Sequence, residues 1–251
     1  VAEIDESDGT IGHFSPAITV SVNVDWDHPD HYRERADIDR AFGELAARTQ
    51  QALFYCAACP SSRRIFTGGT GAADALGFGE GGDYALVGAD DAAPEHDGAP
   101  AGQTLRLGGR FGAAIEARLS AHGHFNAVNA TAALAVAARL GAHDVSGLLA
   151  GFPGVRRRQG VLFRRGELSV IEDYAHHPAE IEALLGALRA RAPRRLIAVF
   201  QPHRYSRTAQ FKDAFARVLA AADRVWLLDV YSAGEAAVPG GESADVLAAL
   251  R

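Results

Sequence analysis

From residue 161 onward the chain alternates strand-like and helix-like stretches, and this alternation restricts the fold more than any other feature. VLFRRGELSVIEDY patterns as a hairpin. A helical stretch at 178–191, the apolar strand LIAVF (196–200), a second helical stretch at 207–221 and the strand RVWLLDV (224–230) follow. Strands separated by helices pair in parallel, because each helix carries the chain back to the end of the sheet where the next strand starts. Such sheets place ligands beyond the carboxyl ends of their strands. Polar clusters that follow a strand are therefore the first places to look for chemistry.

The earlier residues are less regular. ITVSVNV (18–24) reads as a strand, and 37–49 as a helix with Ile38, Phe42 and Leu45 on one face. ALFYC (52–56), RRIF (63–66) and YALVG (84–88) read as short strands, and the Ala-, Gly-, Asp- and Pro-rich residues 89–102 as a surface loop. NAVNATAALAVAARL (126–140) reads as a helix of mostly small side chains, followed after Gly141 by a second short helix. GFPGVRRRQG (151–160) breaks the periodicity and reads as a linker. The expectation is an α/β chain of two domains, residues 1–153 and 154–251.

A net charge of −6 gives no reason to expect nucleic-acid binding as a main activity. No stretch approaches the roughly 20 apolar residues of a membrane span, and no secretory signal is visible. A cytoplasmic protein is expected. Cys56 and Cys59 form a C-x-x-C pair with neither a thioredoxin-like setting nor a second ligand pair, and read as two semi-buried thiols near a strand end. The sequence contains no methionine, opens on VAEIDESDG and closes on ESADVLAALR, which resembles a helix cut short. An interior piece of a longer protein is expected, of marginal stability if its sheet edges lose their partners.

Five stretches carry candidate chemistry. Glu3, Asp5, Glu6 and Asp8 crowd carboxylates that repel one another unless cations or hydrogen bonds compensate. A divalent cation and a solvated acidic loop both fit. NVDWDHPDHY (23–32) adds Asn23, Asp25, Asp27, His28, Asp30 and His31, where oxygens suit Mg2+ and the imidazole suits Mn2+ or Zn2+. RRR (156–158) and QPHRYSR (201–207) supply guanidinium forks for carboxylate or phosphate. IEDYAHHPAEI (171–181) packs Asp173, Tyr174, His176 and His177 before Pro178, and Pro178 and Glu180 alone are ordinary helix-start residues. GGTGAAD (68–74) lacks the Gly-Lys-Ser/Thr ending of a phosphate loop and reads as a turn. Lys212 is the only lysine in the chain.

AEIDESDG, NVDWDHPDHY, FNAVNATAALAVA, GVRRR, EDYAHHPAEI, FQPHRYSRT and DVYSAGE, in this order, resemble the Mur ligases and within them the branch that adds L-alanine. The resemblance implies the second half of a central ATPase domain followed by the first part of a Rossmann-like C-terminal domain. It further implies an ATP- and Mg2+-dependent ligase, with Mn2+ as an alternative ion. That ligase joins L-alanine to the lactyl carboxylate of UDP-N-acetylmuramate through an acyl phosphate. By the same resemblance Glu3 and His28 match metal ligands, and Asn126 and Asn129 match residues beside adenine. Asp173 matches the ribose contact, and Arg157 or Arg158 the residue that reaches phosphate. Tyr174, His176, His203, Arg204 and Arg207 match the amino-acid pocket, with Arg204 among the catalytic groups. The family's usual His-Asn pair reads Phe125-Asn126 here, with His124 one place early. Two other readings are a ligase that recycles murein tripeptide onto the same nucleotide sugar and a non-catalytic remnant that binds nucleotide or metal.

Overall fold

A computed structural model describes residues 1–29, 31–68, 71, 73–92 and 102–251. The chain forms two compact units, one of Val1–Trp26 and His31–Gly154, the other of Asp27–Asp30 and Val155–Arg251.

The first unit is built on a six-stranded sheet in the order β1 (Ile18–Ser21), β2 (Ala52–Cys56), β3 (Asp74–Gly79), β4 (Tyr84–Ala92), β5 (Gly102–Gly109) and β6 (Ile115–Leu119). The helices α1 (Arg35–Arg48) and α2 (Pro60–Thr67) are the crossovers between β1, β2 and β3, and these three strands are parallel. β4, β5 and β6 pair antiparallel as a meander.

β2 explains why ALFYC is apolar throughout, since all five residues are buried. Ala52, Phe54 and Cys56 enter a core with Leu76, Phe78, Leu105 and Leu134, the last on helix α3 (His124–Arg139). Leu53 and Tyr55 face the other way, packing with Ala46 of α1 and Phe66 of α2. Alternate side chains of one strand thus bind helices on opposite faces of the sheet. The small residues Ala127, Ala130 and Ala135 are buried along α3 and let that helix lie close to the strands.

Several sequence expectations are corrected here. RRIF is the second half of α2, not a strand. Pro60 stands at its first turn, where a missing N–H costs nothing, and Phe66 is buried. The short helix expected after Gly141 is not formed; residues 142–145 are irregular and 146–150 form turns. β1 stops at Ser21, and β4 carries the presumed loop as far as Ala92. Residues 93–101, Asp30, and Gly69, Thr70 and Ala72 of the Gly-rich turn lie outside the described residues.

In the second unit a hairpin of β7 (Gly160–Arg165) and β8 (Leu168–Glu172) precedes helix α4 (Pro178–Ala190). A parallel pair follows, β9 (Ile197–Phe200) and β10 (Arg224–Leu227), linked by helix α5 (Tyr205–Leu219), and then helix α6 (Ser243–Ala249). Ile181, Leu185, Phe200, Phe215, Leu219 and Val246 form its core. Among the described residues no helix is long and apolar enough to cross a membrane.

Phe78 is fully buried in the centre of the first core. Phe78→Ala is expected to destabilise the first unit by about 3–5 kcal/mol through lost transfer energy and a residual cavity. Urea unfolding followed by fluorescence measures this, and a loss below about 1 kcal/mol would contradict the packing described.

Candidate functional site

The stretch 171–181 forms a strand-to-helix corner with closed hydrogen bonding. β8 ends at Glu172, and His177 is the N-cap of α4 in extended conformation. Helix-start amides have no partner within the helix. Here the Ala179 N–H donates to His177 Nδ1 at 3.3 Å, while Glu180 Oε2 accepts the amides of His176 and His177 at 2.9 and 3.2 Å. His177 is therefore a capping residue. With Nδ1 accepting, its neutral ring carries the proton on Nε2, a buried atom with no hydrogen-bond partner among the described residues. The ring sits edge-on to Phe211, with centroids 5.0 Å apart.

Asp173 ties this corner to the start of the hairpin. Its Oδ1 accepts the Ala175 amide at 2.8 Å and its Oδ2 the Gln159 amide at 2.9 Å, with the side chain 8% exposed. Each oxygen keeps a further lone pair. The Tyr174 amide donates to the Arg157 carbonyl at 2.8 Å, and the Arg157 guanidinium lies 4.5 Å above the Tyr174 ring. Arg158 approaches Glu180 at 3.5 Å and Asp173 at 4.0 Å. The fold thus brings the RRR and EDY motifs together.

The second corner lies between β9 and α5. The Arg204 amide donates to the Tyr231 carbonyl at 2.8 Å, and the Tyr231 amide to the Pro202 carbonyl at 2.9 Å. Arg204 caps α5 with a φ of 67°, a left-handed conformation rare outside glycine and concentrated at functional sites. Glu235 holds it there. One carboxylate oxygen accepts from Arg204 Nη1 at 3.3 Å and from the Ser206 hydroxyl at 2.9 Å; the other accepts the Ser206 amide at 3.1 Å. Burial opposes charge on Glu235, but the Ser206 donors and Arg204 outweigh it and hold the carboxyl below its usual range.

Arg207 is 3% exposed. Its Nε and Nη2 donate to the two oxygens of Asp27, each at 3.0 Å, a bidentate pair. Burial works against the Asp27 charge, and Arg207 more than compensates, so its carboxyl is depressed. Arg207 Nη1 also faces His203 Nδ1 at 3.4 Å. Burial, followed by the positive charges of Arg207, His176 and Arg204, lowers the His203 pKa against the opposing pull of Glu235.

The rings of Tyr174, His176, His203 and Tyr231 follow one another with centroids 5.2, 6.2 and 5.3 Å apart, and the last pair is stacked. Asp27, read from sequence within a candidate metal cluster, instead pairs with Arg207, and Tyr231 and Glu235 were given no role from sequence. DVYSAGE contains both Tyr231 and Glu235 and was the signal that could have found them.

Asn126, Asn129, Glu3 and His28 are the remaining candidates. Asn126 sits in the first turn of α3, its side-chain Nδ2 donating to the His122 carbonyl at 2.6 Å, and Asn129 is exposed on the same helix. Glu3 is exposed in the irregular segment before the 3-10 turn Thr10–His13. In that segment Asp5 and Asp8 accept the Ser7 and Thr10 amides at 2.8 and 2.9 Å. Its carboxylate oxygens are hard donors of the kind Mg2+ takes. His28, in the other unit, has a φ of 55°, its amide donating to Asp27 Oδ1 at 2.7 Å. An imidazole in the donor set also admits Mn2+.

Residues 2–137 match the family model of the Mur ligase middle domain, and residues 156–251 that of the Mur ligase glutamate ligase domain. The chain belongs to the Mur ligase family. The UDP-N-acetylmuramate–L-alanine ligase of Halorhodospira halophila is 38% identical over 265 residues, covering 100% of this chain and 52% of that Mur ligase. The crystal structure of the UDP-N-acetylmuramate–alanine ligase MurC from Thermotoga maritima superposes with a TM-score of 0.71 at 26% identity, covering 98% of this chain and 51% of the other. A MurF ligase of Thermotoga maritima in complex with ADP shares the fold, with a TM-score of 0.66 at 20% identity over 85% of this chain and 48% of the other. The chain spans about half the length of the Mur ligases it matches.

The capping box of α4 gives a pH-dependent test. Burial opposes the Glu180 charge, but the His176 amide, the His176 ring, the His177 amide and Arg158 hold its carboxyl below the usual glutamate range. A depressed folded pKa contributes stability above the unfolded value of ~4.3, lost as pH falls through the folded value. Glu180→Ala is expected to cost about 1 kcal/mol near pH 7, with the gap from wild type closing below pH ~4. Urea unfolding across pH measures it, and a gap that persists or widens in acid would contradict the assignment.

Proposed function

We propose that this chain forms half of an ATP-dependent ligase that joins L-alanine to the lactyl carboxylate of UDP-N-acetylmuramate. Residues 1–153 would serve as the nucleotide side and 154–251 as the amino-acid side. The observation that carries the reading is the convergence of His176, His203 and Arg204 at two strand-to-helix corners, in a chain aligned along its whole length with alanine ligases.

In the proposed reaction the lactyl carboxylate takes the γ-phosphoryl group of ATP to give an acyl phosphate. The alanine amine then attacks the acyl carbon, and phosphate leaves from the tetrahedral intermediate. Both steps build negative charge on crowded oxygens. Glu3 and His28 are the proposed metal ligands; Mg2+, when bound, offsets charge on the phosphate oxygens. Asn126 and Asn129 are assigned to the adenine side, Asp173 to the ribose through its remaining lone pairs, and Arg157 or Arg158 to phosphate.

Arg204 is assigned to the alanine carboxylate. Its guanidinium fork suits a carboxylate, and Glu235 fixes its position before substrate arrives. Arg207 is already satisfied by Asp27 and would reach the carboxylate only by exchanging partners. Burial and the neighbouring cations, which lower the His203 pKa, disfavour a further positive charge against the alanine ammonium. Tyr174 and His176 complete the pocket wall. A cytoplasmic site of action belongs to the same proposal.

In the full-length protein that carries this chain, phosphate release is expected only when UDP-N-acetylmuramate and L-alanine are both present. Arg204→Ala is expected to lower kcat/KM for L-alanine by about 10–100-fold, the worth of one charge-assisted hydrogen bond, with the KM for ATP unchanged. Phosphate release independent of alanine, or an equal loss in the ATP and alanine parameters, would overturn the assignment.

A further inference from the structure

The two cysteines of the first unit sit at a turn whose geometry suits thiol chemistry. β2 ends at Cys56, and the chain passes through Ala57 and Ala58 into Cys59, the residue that caps α2. The Cys59 amide donates to the Cys56 carbonyl at 3.1 Å, closing a four-residue turn. A turn of this kind holds its first and last Cα within about 7 Å, against the roughly 4.4–6.8 Å that a disulfide spans. The environments of the two sulfurs differ. Cys56 is 7% exposed, whereas Cys59 is only partly buried.

Cys59 also faces groups that favour a negative sulfur. It stands at the N-terminus of an eight-residue helix, beyond Pro60, which has no N–H. Ser62, three residues on, is fully buried, and its hydroxyl makes no hydrogen bond of normal geometry with any described group. In the thiol form Cys59 Sγ donates only weakly, to the Val24 carbonyl at 3.9 Å. Burial opposes the Cys59 thiolate, but the Ser62 hydroxyl and amide and the Ser61 amide outweigh it and hold the thiol below its usual range. Burial pushes Cys56 the other way, above its usual range.

We propose that Cys56 and Cys59 form a dithiol modification site for small disulfides, in which Cys59 attacks and Cys56 resolves. The Cys59 thiolate attacks one sulfur of the small disulfide, the S–S bond breaks, and one thiolate leaves and takes up a proton. Cys56 then gives up its proton and attacks Cys59 Sγ in the mixed disulfide, expelling the second thiolate, which is protonated in turn. The small disulfide is reduced to two thiols, and the two cysteines are oxidised to one bridge.

Oxidised glutathione is the probe, applied to the native chain and followed by intact mass, free-thiol titration and peptide mapping. The expected product has lost the two thiol hydrogens, retains no glutathione, and carries a Cys56–Cys59 bridge. Cys56→Ser is expected to trap glutathione on Cys59, and Cys59→Ser to remain unmodified. Native wild-type protein, where folding of a variant is not at issue, should be alkylated by iodoacetamide at Cys59 at least about tenfold faster than at Cys56. Equal or faster labelling of Cys56, or reaction of either thiol only after unfolding, would overturn the proposal.

Discussion

The first N–H groups of a helix have no partner inside the helix, and where a helix follows a strand they must be satisfied on the spot. In the second unit carboxylates meet this need at both corners of the candidate site. Glu180 accepts the amides of His176 and His177 before α4, and Glu235 accepts the Ser206 amide in the first turn of α5. Each carboxylate also reaches a cation, Arg158 in one case and Arg204 in the other. The polar groups that shape the backbone are therefore the groups that place the arginines. This coupling explains how Arg204 is kept in a left-handed conformation that costs of order 1–3 kcal/mol for a residue with a side chain.

The first unit rests on a different constraint, a strand buried on both faces. β2 gives alternate side chains to two cores, and its neighbours must supply both a small-residue helix on one side and the α1–α2 pair on the other. The turn that leaves this strand leads directly into the N-terminus of α2. Cys56 belongs to the strand and Cys59 to the helix cap, so two adjacent thiols acquire unlike environments.

Local pattern made much of this legible. The continuous apolar run of β2, the hairpin before α4, and the positions of α3, α4 and α5 follow from hydrophobic periodicity and from Pro178. Local pattern misled at RRIF, where an Ile-Phe pair between polar residues looks like a strand until Pro60 is counted as a helix start. β5 and β6 were missed because the glycines of β5 (Gly102, Gly108 and Gly109) weaken its strand signal and β6 is a five-residue strand with two charged side chains. Gly109 shows the cause: its φ is +66°, and a Cβ there would lie 2.2 Å from the Asp83 carbonyl oxygen. At the candidate site Asp173, Tyr174 and His176 stood out as polar groups at a strand end. The Asp27–Arg207 pair, the Glu235 clamp and the stacking of Tyr231 on His203 depend on residues brought together only by tertiary folding.

The central claim, that this chain is half of a ligase working through an acyl phosphate, has a direct chemical signature. Attack of the lactyl carboxylate on the γ-phosphorus leaves one carboxylate oxygen bridging carbon and phosphorus, and that oxygen departs with phosphate when the amine displaces it. UDP-N-acetylmuramate labelled with oxygen-18 in the lactyl carboxylate, turned over by the full-length protein with ATP and L-alanine, tests this by mass analysis of the phosphate released. The account predicts one labelled oxygen in each phosphate formed. Unlabelled phosphate, accompanying an alanine adduct or none, would contradict it.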